Sequence, residues 1–150
     1  MAKIFTTDDD IVQLVQDEFE DTGLPQLGVN IKVMSVTKAN EIVKVSRASA
    51  TTQHLTHTSD LVTLFVYEEA FDRLSDDYKT LLVKGALSNV SYDTEKDRLN
   101  VDTTRYGELI RMRRKYPEYV DAIETGTLVI EQIADEEKER KENEKKAKKK

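Results

Sequence analysis

Apolar positions recur along this chain with two different periods, and the switches between them divide it into elements. Ile11, Leu14, Val15 and Phe19 follow one another at helical spacing behind Thr7 and three aspartates, Asp8, Asp9 and Asp10. A threonine cap with acids in the first turn suits the positive end of a helix dipole, so a helix is predicted over 8–21, closed by Gly23 and Pro25. From Val29 the period falls to two. Val29, Ile31 and Val33 alternate with Asn30, Lys32 and Met34, the pattern of a half-buried strand. Ile42, Val43 and Val45 predict a second strand after a turn around 38–40. Residues 47–60 are polar and rich in Ser and Thr and read as a loop or a frayed edge. The stretch 61–67, LVTLFVY, is a nearly continuous run of β-formers. It is predicted to be a central strand covered on both faces.

Ser75 then caps a helix whose seam is Tyr78, Leu81, Leu82, Gly85, Ala86 and Asn89, and the small residues in that seam imply a close neighbour. A polar turn at 93–97 precedes a short strand at 99–101. Thr103 or Thr104 caps a further helix with Leu109, Ile110 and Met112 available to its apolar side, ending before Pro117. The last helix starts near Glu118 and offers Val120, Ile123, Leu128, Val129, Ile130 and Ile133 for burial, with Gly126 weakening it locally by about 1 kcal/mol relative to alanine. The order α-β-β-β-α-β-α-α, without an internal repeat, predicts an α+β fold with a small, mostly antiparallel sheet of about four strands.

The apolar pattern stops after Ile133. Residues 135–150 hold six acids and eight bases and no large apolar side chain, ending in Lys145, Lys146, Lys148, Lys149 and Lys150. This divides the chain into a single domain, 1–134, and a charged tail, 135–150, either helical or disordered. Of the 29 acids and 23 bases in the whole chain, 23 acids and 15 bases fall in the domain, so the domain is acidic and the tail mildly basic. A domain of that sign is unsuited to coating nucleic acid, although a local basic patch is still allowed. No apolar stretch approaches the roughly 20 residues that span a bilayer. MAKIFTTDDD has no apolar core of signal-peptide length and turns acidic at once, which is compatible with the cytoplasmic location expected. The absence of cysteine removes disulfides, thiolate catalysis and cysteine zinc sites together.

The order of parts between Leu61 and about Tyr119 carries a resemblance. A strand (LVTLFVYEEAFDRL) is followed by a helix (SDDYKTLLVKGALSNVSYD), an acidic turn, a short strand (RLNVD) and a helix closing in RYGELIRMRRKYPEY. Together with the preceding helix and the strands VNIKVMSV and EIVKVSRA, this resembles a family of small metallopeptidase-like proteins of phages and prophages, over about residues 8–120. The resemblance implies a zincin-like layout in which the helix of residues 75–89 would carry His-Glu-x-x-His in zinc-bearing relatives. This chain has Lys84, Gly85, Ala86, Leu87 and Ser88 there. A lysine would repel the metal, a glycine brings no carboxylate to activate water, and serine is a poor zinc ligand. The third-ligand region, Val101 and Asp102, offers one carboxylate. The resemblance therefore implies the scaffold without the zinc, the cofactor or the reaction.

Other constellations are weaker. His54 and His57, the only histidines, have Asp60 as their sole nearby companion and read as solvent-exposed. Asp93, Glu95 and Asp97 alternate as oxygen ligands might, but the glycine and distal glutamate of a calcium loop are missing, so an acidic surface turn is the reading. Glu68 and Glu69 after Tyr67 suit a helix first turn. Five scattered glycines make no phosphate loop, and nothing resembles a nucleophile elbow. The best binding candidates are Arg111, Arg113, Arg114, Lys115 and Tyr116, with Tyr106 and Tyr119 close by, and the five tail lysines. Each set could equally be a solvated face. The expectation is a non-catalytic, phage-type accessory or regulatory protein that binds a host or phage protein through its surface. A nucleic-acid-binding auxiliary factor and a virion or assembly component are the alternatives. Neither a cofactor nor a membrane is expected.

Overall fold

The computed structural model describes residues 3–57, 60–102 and 104–149. Strand β1 (Ile4–Thr6) leads into helix α1 (Asp9–Asp21), a 3-10 turn (Leu24–Leu27), β2 (Asn30–Val36) and β3 (Val43–Arg47). Helix α2 (Ala50–Leu55), β4 (Leu61–Tyr67), α3 (Glu68–Phe71) and α4 (Asp76–Leu87) follow. The hairpin of β5 (Val90–Asp93) and β6 (Arg98–Val101) precedes α5 (Arg105–Lys115) and the long α6 (Tyr119–Lys148). The α+β expectation holds. Four strands form one sheet in the order β1-β2-β4-β3, antiparallel except for the parallel pair β2–β4, and β5 and β6 form a separate ribbon.

The fourth strand of the sheet is therefore Ile4–Thr6 and not residues 99–101. Leu99 is paired with Tyr92 across the ribbon, and its side chain joins the main core from there. The strand at β1 is three residues long, too short to show a period; its register comes entirely from pairing Ile4 with Val36. Nor is 47–60 a loop throughout. Ser49 caps α2 by accepting a hydrogen bond from the Thr52 amide, which satisfies one of the free N–H groups of the first turn.

The cap of α1 is Asp8, which accepts from the Asp10 amide, and not Thr7. Thr7 is buried, with its hydroxyl 2.9 Å from that of the fully buried Ser35, which in turn lies 2.6 Å from Glu68 Oε2. With one proton per hydroxyl, Ser35 donates to the carboxylate and accepts from Thr7. This chain satisfies two buried hydroxyls that would otherwise each cost about 1–3 kcal/mol, and it ties α1 and α3 to the centre of the sheet.

β4 is central, as its composition predicts, but only one of its faces is sealed along its whole length; on the other, Leu61 and Tyr67 are buried at the two ends. Val62, Leu64 and Val66 are fully buried, while Thr63 and Phe65 between them are only half-buried. On the sealed side lie Ile11, Val15 and Phe19 of α1, Leu81, Leu82 and Ala86 of α4, and the stripe Tyr119, Ala122, Val129 and Ile133 of α6. The two-sided covering inferred from a continuous apolar run holds at the ends of the strand, where Leu61 and Tyr67 are buried, and lapses at Thr63 and Phe65, because the helices gather mainly on the other face, as they do when α and β elements are segregated. α6 is one unbroken helix that continues well past Ile133, its last buried residue. A fork of two hydrogen bonds from Arg73 to Glu136, 3.1 and 2.8 Å, fastens it to α3.

Candidate functional site

Two faces of α5 divide its charges. Helical spacing turns Arg105, Glu108, Leu109 and Met112 towards the body and Tyr106, Ile110, Arg113 and Arg114 away from it. Met112 is buried, whereas Tyr106 is 75% and Ile110 40% exposed. Ile110 therefore does not join the apolar side expected of it; the single turn from 109 to 112 is too narrow to bury both flanks.

Arg111, expected in one basic cluster with 113–115, is drawn into a solvent-exposed network of hydrogen bonds within the chain. Its guanidinium bonds Asn89 Oδ1 at 2.5 Å and Asp102 Oδ2 at 3.3 Å. Asp102 also accepts from the amide and hydroxyl of Thr104, at 2.8 and 2.7 Å, and these bonds hold its carboxyl below the usual carboxylate range. Asn89 reaches Glu108 Oε2 at 3.3 Å, and Glu108 accepts the hydroxyl of Tyr119 on α6. Burial, and then the Glu108 carboxylate, push the Tyr119 phenol far up. This network locks the ends of α4, α5 and α6 together. Arg105 is likewise engaged, 3.3 Å from Glu41. Among the described residues no acid pairs with Arg113, Arg114 or Lys115.

Lys84, Gly85 and Ser88, singled out above as the places where zinc ligands were expected to be missing, lie along α4 and at its C-cap but face two ways. Lys84 and Ser88 line a cleft of about 390 Å3 between α1, α4 and α5, with Glu18, Asp21, Lys115 and Tyr116. Lys84 Nζ is 2.7 Å from Glu18 Oε2 and 5.7 Å from the centre of the Tyr116 ring. Its hydrogen bond to Glu18 raises its pKa, the opposite of what a lysine general base needs. The Ser88 hydroxyl donates to the Gly85 carbonyl at 2.6 Å. Gly85 points inward, against Tyr119. A second hollow, between Glu41, Arg105, Glu108 and Tyr119, has about 30 Å3 of open volume, room for a water or two and not for a substrate.

The remaining candidates disperse. His54 lies on α2 and His57 just beyond it, both exposed. Asp93 accepts from the amides of Glu95 and Lys96 and shapes the β5–β6 turn, while Asp97 accepts the Tyr92 hydroxyl and raises that phenol to about 12. Glu68 and Glu69 begin α3. Among the described residues no three His, Asp or Glu side chains converge as a metal site, and no helix is long and apolar enough to cross a membrane. Lys145, Lys146 and Lys148 occupy the last turn of α6 and Lys149 its C-cap, where cations suit the negative end of the dipole. Lys150 and Thr103 lie outside the described residues. The tail lysines and the α5 patch are not brought together, since α6 separates Tyr119 from Lys145 by about 39 Å at 1.5 Å per residue.

Sequence spacing alone did not reveal Glu18 as the partner of Lys84, or Glu108 and Tyr119 as a pair, because each contact joins different helices. The two faces of α5 were available from its 3.6-residue period once Met112 was taken as the inward anchor. Comparison with models of known families, with curated proteins and with solved structures finds no match to this chain.

Proposed function

We propose that this chain is a non-catalytic accessory protein, of the phage metallopeptidase-like kind that its order of elements resembles, and that it binds an acidic surface of a protein partner through the outward face of α5. The observation that carries the reading is the split within the basic cluster. Arg111 is held by Asn89 and Asp102, whereas Arg113 and Arg114 stand beside exposed Tyr106 and Ile110. Aromatic and arginine side chains are the types that most often anchor protein interfaces. The pairing of Lys84 with Glu18, and of Ser88 with a backbone carbonyl, supports a role without catalysis. The short basic stretch on an acidic domain favours a compact acidic patch over a long polyanion.

The test is a pull-down from nuclease-treated host lysate, comparing the unaltered chain with Ile110→Asp and with Arg113→Glu/Arg114→Glu. A protein recovered by the unaltered chain and lost with both variants supports the reading. A partner retained by both variants rejects this face, and recovery that disappears with nuclease treatment transfers the function to nucleic acid.

A further inference from the structure

Side chains alternate across a strand, so the sealing of Val62, Leu64 and Val66 leaves Thr63 and Phe65 on the opposite face of the sheet. The register assembles a row there across all four strands. Met34 lies beside Phe65, Thr6 beyond Met34, and Lys44 on the other side of Phe65. The adjoining row is Lys32, Thr63 and Ser46. The solvent face of such a sheet is ordinarily polar. Here the two central strands carry Met34 and Phe65, which are half-buried yet stand outside the apolar cluster. None of these seven positions is a carboxylate, in a chain with 29 Asp+Glu against 23 Lys+Arg. At the Tyr67 end of the face, Glu69 and Glu137 approach the phenol together with Arg73.

We propose that this open face binds single-stranded nucleic acid, with a base stacked on Phe65 and phosphates held by Lys32 and Lys44. Every base has a π face, so one ring at the centre of a flat sheet accepts any unpaired base. The two lysines flank that ring about 12 Å apart, from the strand spacing and rise. Thr6, Thr63 and Ser46 supply hydroxyls that donate to or accept from base edges and sugars. A duplex keeps its bases stacked on one another and offers none to the ring. An acidic amphipathic helix is the competing occupant; it would use the apolar area of residue 65 and not its aromaticity.

The test is fluorescence anisotropy of a short labelled oligouridylate and an oligothymidylate with the full chain, at low and moderate salt. Binding of either is expected, weakened about 5- to 100-fold by Phe65→Leu, which keeps apolar bulk and loses stacking. Lys32→Ala/Lys44→Ala should flatten the salt dependence by about 1.4 logarithmic units per decade of salt. Should Phe65→Leu fail to melt cooperatively, the lysine variant decides alone. No binding of either oligonucleotide overturns the proposal, as does binding that neither variant changes, which would belong to the α6 lysines or to α5. Self-association abolished by Phe65→Leu, without oligonucleotide binding, would make the face a contact between copies and also overturn it. Oligonucleotide binding and the recovery of a protein partner are read in separate assays, which separates failure here from failure of the α5 reading.

Discussion

The phenol of Tyr119 occupies the space into which a Cβ at residue 85 would project. A Cβ built on Gly85 would lie 2.6 Å from Tyr119 Cζ and closer still to its hydroxyl. Tyr119 is fully buried and bonded to Glu108, so the ring has nowhere to retreat. Glycine at this helix position is thus a packing requirement. It admits α6 against α4.

Gly85→Ala should therefore destabilise the fold. Alanine improves helix propensity by about 1 kcal/mol, but overpacking against a fixed ring costs about 1–3 kcal/mol. A net loss near 1 kcal/mol lowers the melting temperature by about 2–4 °C. Combining it with Tyr119→Phe removes the nearest atom, so the double variant should lose less than the sum of the two singles. An alanine variant that melts at or above the wild-type temperature would refute this packing. Gly126→Ala should be milder, because the atom its Cβ would meet at 2.8 Å is the terminal methyl of Ile42, which can rotate away.

The pairing of Lys84 with Glu18 gives a pH prediction. Glu18 raises the lysine above its ordinary 10.5 in the folded state. A base whose folded pKa is raised contributes stability that is fully present below the unfolded value and is lost as pH rises through the folded one. The phenols of Tyr119 and Tyr92 are also raised and act with the same sign. Thermal stability should accordingly decline above about pH 10. Lys84→Met should cost about 1 kcal/mol at neutral pH, since solvent screens a side chain that is 29% exposed. It should also make the alkaline decline shallower. Parallel melting curves for the two proteins across the alkaline range would show that the contact carries no such linkage.

Arginines three residues apart on α5 should separate folding from binding. Arg111→Ala deprives Asn89 and Asp102 of their donor and should lower stability, read by chemical denaturation, with the loss limited because solvent screens a guanidinium that is 41% exposed. Arg113→Glu and Arg114→Glu touch no acid among the described residues and should stay within about 0.5 kcal/mol of the unaltered chain. Equal losses at all three positions would mean that the cluster is one structural unit, and would remove the ground for an interface on the outward face.

These particulars mark what the chain's pattern could reveal. The β4 run, the period of α1 and the apolar stripe of α6 were legible, because burial along one element repeats at the period of that element. The place of β4 between β2 and β3 was not, since a parallel pair of strands separated by an intervening antiparallel one leaves no local mark. Nor did the sequence distinguish Arg111 from Arg113; their neighbours along the chain are alike, and the acceptors that capture Arg111 come from the end of α4 and the start of the α5 loop. Phe65 was read as core because an apolar run does not say on how many sides helices will gather.

The last prediction concerns the length of α6. Its buried stripe ends at Ile133, and its last approach to the body is at Glu136, through the two-bonded fork from Arg73, and at the half-buried Glu137 beside the Tyr67 phenol. Beyond that, the helix is supported by its own hydrogen bonds and by the pair Glu137–Lys141 at 3.4 Å, worth a few tenths of a kcal/mol. An isolated helix of this length is marginal in water. Amide exchange should thus be slow for 122–133, intermediate around 134–137, and fast and independent of global stability from 140 onwards. Arg73→Gln should move the boundary of slow exchange about one turn towards Ile133, with little change in the melting temperature. Strong protection extending to Lys145 in the isolated chain would require a docking contact for the lysine-rich end, and would place that end, and not α5, first in the search for a partner.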